Sequence, residues 1–237
     1  MHELMLTVII PVGPAEKEVP SGLLQDLQLL PENSEVIFVG CDQESQSQFM
    51  EKLPAAFLQV YASPGRAQQM NLGAEVAKGR FLWFLHLDSR FNLSLLTSLI
   101  ENLNKYPERL HYSLLQFVPA GRSLMLLNAY GANLRSKILG VPFGDQGFVL
   151  QRELFFKVGQ YPVSANYGED HLFVWHARQY GLKLCCNPHK LKTSARKYRQ
   201  QGWIQLTLKY QYLWLRQALP EALKLIKIRY FSPRCQR

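Results

Sequence analysis

The sequence predicts an α/β fold, a mostly parallel sheet with helices on both faces, and three observations carry that prediction. Short apolar runs rich in β-branched and aromatic residues alternate with helix-length stretches over the first ninety residues. Those runs are continuously hydrophobic rather than alternating, as strands buried on both faces are. The chain has 237 residues, 47% apolar and 19% charged, which is enough for one sizeable core and too apolar for disorder.

Taken in order, residues 4–10, closed by Pro11, form the first predicted strand. Pro20 and Ser21 precede Leu23, Leu24, Leu27 and Leu30, so a helix comes next, with Ser21 as N-cap and Pro31 as its stop. Residues 35–39 repeat the strand signal, 43–53 give a weaker helix and 57–61 a third strand. A helix over 65–77 puts Met70, Ala74 and Ala77 on one face, and 81–87 is the most hydrophobic strand of this half. Beyond Asn92 the pattern loosens into a helix at 94–105, a strand around 112–117 and a helical stretch at 123–139. A turn at 144–147, a short strand at 148–151, a helix at 169–180 and a strand at 182–186 come after it. Two helices, 204–218 and 221–229, are separated by Pro220. Right-handed crossovers between parallel strands place any ligand beyond their carboxyl ends, at 11–18, 40–43, 62–66 and 88–90.

Composition narrows the class of protein. No apolar window reaches the roughly 18 residues needed to span a bilayer, and no basic stretch precedes the N-terminal apolar run, so a secreted or polytopic protein is disfavoured. Cys41, Cys185, Cys186 and Cys235 lack paired spacing and read as reduced thiols of a cytoplasmic protein. The net charge of +9 is unevenly placed: residues 171–237 hold 14 Lys/Arg against Glu221 alone, while 1–170 hold 13 against 17 acids. Such a basic tail suits anionic lipid head groups or nucleotide diphosphates, or is simply a solvated face. Nucleic acid ranks last, because no nucleic-acid motif accompanies the charge.

Few residues stand out chemically. Asp88 closes the strand FLWFLHL, where a carboxylate either meets a divalent metal bridging a diphosphate or caps the next helix. Arg66 opens a helix just after Gly65, a place that favours phosphate, and Asn71 is an awkward polar residue for that helix. Glu169 and Asp170 begin another helix, as acids that complement the helix dipole or as a general base. Gly144, Asp145, Gln146 and Gly147 form a polar turn whose glycines permit close backbone approach. His86, His171, His176 and His189 have no zinc-site spacing and read as packed or surface residues. No nucleophile elbow, Walker loop or dinucleotide fingerprint is present.

In this order, LTVIIPV, GRAQQMNLGAEVAKG, FLWFLHLDS, FGDQGFVLQRELFFKVGQYP, GEDHLFVWHARQYG and TSARKY resemble the blocks of a family 2 glycosyltransferase of the inverting, GT-A fold kind. The likeness runs from Leu6 to about Tyr198, and is nearest to the small bacterial subgroup with LHAD and GDQG blocks. It implies a GT-A-like domain over 1–200, followed by basic amphipathic helices over 201–237 packed on it. It further implies that Pro11, Val12 and Glu16 lie by the nucleotide, that Arg66 and Asn71 contact the donor, and that Asp88 binds Mg²⁺ or Mn²⁺. Asp170 of the Glu169-Asp170 pair would be the catalytic base, residues 144–147 would line the sugar and acceptor pocket, and Arg196 and Tyr198 would lie near the diphosphate.

The partner so implied is a nucleotide-diphosphate sugar, with an acceptor that a lipid carrier would suit. Three departures accompany the match. Gly40 and Cys41 follow the second strand where an aspartate is usual, Arg90 stands where a DxD motif has its second acid, and Arg80 replaces an acid. A glycosyltransferase-like binding protein without turnover is therefore the alternative. Trp203, Leu206, Tyr210, Leu213, Trp214 and Leu219, with Lys209, Arg216, Lys224, Lys227 and Arg229, have the composition of an interfacial helix, or of one packed on the core. The first reading predicts peripheral attachment to the cytoplasmic membrane face.

Overall fold

A computed structural model describes residues 5–118, 123–165, 167–195 and 203–231. Among the described residues, seven strands form one mixed sheet: β1(Leu6–Pro11), β2(Ser34–Gly40), β3(Leu58–Tyr61), β4(Phe81–Phe84), β5(Leu110–Val118), β6(Val149–Gln151) and β7(Leu184–Ser194). Their order is β3-β2-β1-β4-β6-β5-β7. β1, β2, β3 and β4 run parallel, and β6 is antiparallel to β4 and β5. The helices are α1(Ser21–Leu27), α2(Gln43–Met50), α3(Arg66–Val76), α4(Leu93–Lys105), α5(Ser123–Ile138), α6(Arg152–Val158), α7(Glu169–Tyr180) and α8(Trp203–Phe231).

The continuous apolar runs have the expected cause, since the sheet is covered on both sides. Leu6, Val8 and Ile10 of β1 face a core made with Leu23 and Leu27 of α1, Phe49 of α2 and Leu95, Leu99 and Leu103 of α4. Ile9 faces the opposite core, made with Met70 and Ala74 of α3, Phe155 of α6 and Phe173 and Val174 of α7. This period-two division follows from strand geometry alone. Because β1 lies between β2 and β4, the chain reverses its winding direction there and opens a crevice at the strands' carboxyl ends.

Several expectations are corrected. Pro20, not Ser21, is the N-cap of α1, with no side-chain bond, and Ser21 is already helical. β4 stops at Phe84, and β7 continues to Ser194 because β5 offers it a parallel partner throughout, with one register shift. α6 has no counterpart among the predicted elements, being a seven-residue helix too short for a periodic signal. The two C-terminal helices are one, with Pro220 inside α8. The packing of Ala218 and Leu225, on either side of that proline, with Val141 and Trp175 holds the helix through it.

Candidate functional site

The site begins where the parallel strands end. After β1, Pro11, Gly13 and Glu16 line a cleft of about 1450 Å³, together with Asp42 beyond β2, Gly65 and Arg66 at the start of α3, and His86 and Asp88 beyond β4. Two buried glutamines hold these loops. Gln46 donates to the carbonyls of Val12 and Gly13 at 3.2 and 2.8 Å, and its Oε1 accepts the N–H groups of Cys41 and Asp42. Gln69 donates to the carbonyls of Val12 and Val39 at 2.8 and 2.6 Å. Neither glutamine stands out in the sequence, where both look like ordinary helix surface residues.

Asp88 is set by a tight turn in which the Ser89 N–H donates to the His86 carbonyl at 3.0 Å and the His86 N–H donates to Ser89 Oγ at 3.1 Å. The carboxylate accepts the Ser194 N–H at 3.2 Å. It is not a helix cap, because Asn92 caps α4 by accepting the Leu95 N–H at 3.0 Å. Arg90 points away from Asp88. Its guanidinium grips Asp26 of α1 with two bonds of 2.6 and 3.0 Å, and Asp26 also accepts the Phe91 N–H.

From the other side, the turn at 144–147 is a single 3₁₀ turn over Gly144–Gln146, ended by Gly147 in the left-handed region at φ +64°. Its two glycines permit approach by protein groups. A Cβ on Gly147 would lie 2.8 Å from Leu191, and one on Gly144 would lie 3.0 Å from Asp170 Oδ2. Gln146 is fully buried, donating to the Ser113 carbonyl and accepting from Ser136 Oγ and the Phe143 N–H. Asp145 lines the cleft, and its Oδ1 is buried with no hydrogen-bond partner among the described residues. Burial pushes the Asp145 carboxyl up to about 6; Arg135 opposes the rise, Asp170 adds to it, and Arg66 and Asp88 contribute in opposite directions.

Asp170 opens α7 beside this turn. Its Oδ2 accepts the Gly144 N–H at 2.6 Å and its Oδ1 the His171 N–H at 2.8 Å. Glu169 lies 3.7 Å from the Arg66 guanidinium, joining α7 to α3 across the cleft. His171, whose pKa burial lowers, is buried between Phe143 and Gln217 of α8, which bonds its Nε2 at 2.9 Å and donates to the Tyr167 carbonyl. Arg135 of α5 stacks on Phe143, with 3.5 Å from Cζ to the ring centre.

The cleft thus brings together Pro11, Glu16, Arg66, Asp88, Asp145, Glu169 and Asp170, and adds His86, Asp42 and Tyr167. Val12, Asn71, Gly144, Gln146 and Gly147 do not line it. Asn71 spends both ends of its amide on the Tyr161 backbone, at 2.9 and 3.0 Å. Arg196 and Tyr198 lie outside the described residues. Among those described, no three His, Cys, Asp or Glu side chains cluster as metal ligands. The Asp88 carboxylate, which lines the cleft and accepts the Ser194 N–H, therefore fits a hard cation only if phosphate and water complete its shell.

No protein-family model and no curated protein matches the sequence. Solved structures do. The chain is similar to S. aureus TarS 1-349 in complex with UDP-GlcNAc, at TM-score 0.61 and 18% identity over 81% of this chain and 59% of that one. It is similar to the mannosyltransferase PcManGT from Pyrobaculum calidifontis in complex with GDP-Man and Mn²⁺, at TM-score 0.61 and 15% identity over 84% of this chain and 58% of that one. GalNAc-T7 with UDP, GalNAc and Mn²⁺ gives 0.60 and 18% over 81% and 44%. The chain spans less than two thirds of each neighbour's length. The fold is accordingly GT-A-like, a mixed, mostly parallel sheet of the kind these glycosyltransferases share.

Proposed function

We propose that the protein is a cytoplasmic family 2-type glycosyltransferase that moves a sugar from a nucleoside-diphosphate donor to an acceptor hydroxyl with inversion. The observation that supports it most is the convergence of Asp88, Asp145 and Asp170 with Arg66 in one cleft at the carboxyl ends of the strands of a GT-A-like sheet. The nucleotide lies along Pro11 and Glu16, and Arg66, at the N-terminus of α3, meets the diphosphate with the helix dipole behind it. Asp145 accepts a hydrogen bond from a hydroxyl of the sugar at its orphaned oxygen. Asp170 takes the proton of the acceptor hydroxyl; the acceptor oxygen bonds to the anomeric carbon as the bond from that carbon to the phosphate oxygen breaks, and the diphosphate leaves with the electron pair. The base is oriented by Gly144 and His171, so its approach to the acceptor is defined before substrate arrives.

Asp88 would hold Mg²⁺ or Mn²⁺, which when bound supplies charge stabilisation to the leaving diphosphate. The experiment is a nucleotide-sugar panel with Mn²⁺, with and without acceptors, on the wild type and Asp88→Ala. The wild type is expected to release nucleoside diphosphate, and the variant to lose Mn²⁺-dependent donor binding while keeping its melting temperature. Donor binding without any release would instead favour the non-catalytic binding protein.

A further inference from the structure

The apolar end of the cleft is bounded by α5 and α8, and both helices turn apolar side chains to solvent. On α8, Leu208, Tyr212, Leu215, Leu219, Leu223 and Ile226 recur at intervals of three and four, forming one stripe in which each residue is 49 to 66% exposed. Of the residues legible around Trp214 in the sequence, only Leu219 belongs to this stripe. Trp214, Ala218, Ala222 and Leu225 pack instead with Val141 and Trp175. At about 100° per residue, exposed Lys209, Arg216 and Lys227 fall about a quarter turn from the outer stripe, on the side away from the packed face. α5 repeats the pattern with Leu126, Tyr130, Leu134 and Ile138 at four-residue intervals, 42 to 71% exposed. Leu134 and Ile138 also line the cleft, as do Tyr210 and Trp214 of α8, so the exposed apolar row of α5 continues over the rim into the site.

The α8 stripe, edged by cations, has the chemistry of an interfacial helix. A second copy of the chain fits it poorly. Antiparallel pairing of two such faces would bring the rows of Lys209, Arg216 and Lys227 together, and in either orientation no acid of the helix meets them, because Glu221 is buried on its inner side and bonded to Lys224 and Gln179. We infer that α8 and the rim of α5 dock on an anionic lipid bilayer, and that the acceptor is a membrane lipid whose chain enters between these helices with its polar head toward Asp170. The docking stands on the surface alone; the acceptor rests on the sugar-transfer reading above.

Flotation of the full chain with phosphatidylcholine vesicles, with and without phosphatidylglycerol, tests the docking. The wild type is expected to float with the anionic vesicles and to detach as salt is raised. Leu215→Glu with Leu219→Glu should float with neither. Lys209→Gln, Arg216→Gln and Lys227→Gln together should weaken partition roughly a hundredfold, at about fivefold per cation. All these residues are exposed, so each variant keeps the wild-type melting temperature. The docking is overturned if the wild type floats with neither vesicle, if it floats equally with both, or if the double glutamate variant behaves as wild type. A wild-type dimer that this variant dissolves, without vesicle binding, would overturn it in favour of self-association. Photoreactive acyl-chain phosphatidylglycerol should label Leu134 or Trp214 in the cleft; labels confined to the outer stripe would sink the acceptor assignment. Neither arm uses a nucleotide sugar, so their failure is distinct from failure of the donor panel, which uses no vesicles.

Discussion

Asp170 accepts the backbone N–H of Gly144 at 2.6 Å, a bond that spans 26 positions of the chain. It joins the 3₁₀ turn carrying Asp145 to the first turn of α7, so two acidic blocks that are separate in sequence are tied together in space. A carboxylate held by a backbone donor keeps its orientation without losing its remaining lone pairs.

Asp170→Asn keeps an oxygen that can accept the Gly144 N–H but removes the proton acceptor. Turnover is expected to fall about 10² to 10⁴-fold, while donor affinity stays within about threefold. Nucleoside diphosphate release and calorimetric donor binding measure the two effects separately; near-normal turnover would leave Asp170 as a structural tie only.

Gly144→Ala tests the tie from the other side. Gly144 is not among the glycines with positive φ, so its backbone suits alanine, but the new Cβ would lie 3.0 Å from Asp170 Oδ2 and 3.1 Å from its Cβ. Asp170 must shift by a few tenths of an ångström. Turnover is expected to drop about tenfold to a hundredfold, with the melting temperature little changed. Equal activity would show that the base tolerates displacement.

Asp145 gives a stability signature. Its pKa is about 6 in the folded chain against about 3.9 for an unfolded aspartate, so between these values the folded state binds more protons and stability falls as pH rises. Above about pH 6 the full cost, on the order of 2 to 3 kcal/mol, is present. Asp145→Asn should therefore match the wild type near pH 4 and exceed it at pH 7.5, in urea denaturation at both values. A pH-independent difference would remove the carboxyl from the buried, unpartnered position assigned to it.

Arg90→Asp would restore the acid of a DxD motif in sequence without restoring it in space. The position faces Asp26, which would lose the two guanidinium bonds and meet a second carboxylate. A loss of about 2 to 3 kcal/mol is expected, the lower part of the range because Arg90 is half-exposed, with no gain in Mn²⁺ affinity. Tighter Mn²⁺ binding measured by calorimetry would reverse the assignment of Arg90.

Legibility differs between the halves of the chain for a physical reason. Up to Phe84, strands and helices alternate at regular length and each strand ends at the cleft, so Glu16, Arg66 and Asp88 are found among the residues just beyond the strand ends. Gln46 and Gln69 are not legible, because a glutamine inside a helix carries no local sign of which carbonyl it will meet. Asn71 stands out as an awkward polar residue and Gln146 as part of a polar turn, and both prove to be buried or half-buried side chains whose amides are used by backbone partners. α8 misleads differently: Pro220 signals a break by local rules, whereas packing of Ala218 and Leu225 outweighs it.

The sequence by itself determined the layered α/β architecture, the winding of the first half and the identity of the acidic and basic candidates, because hydrophobic period and strand ends are local properties. Only the tertiary structure decided which candidates meet. Asp170 meets Gly144, Arg90 leaves Asp88 for Asp26, and α8 turns Leu208, Leu215, Leu219 and Leu223 rather than Trp214 to solvent. These outcomes depend on the relative placement of elements packed from distant parts of the chain, and no periodicity in a single segment encodes the direction a side chain takes toward a partner it has not yet met.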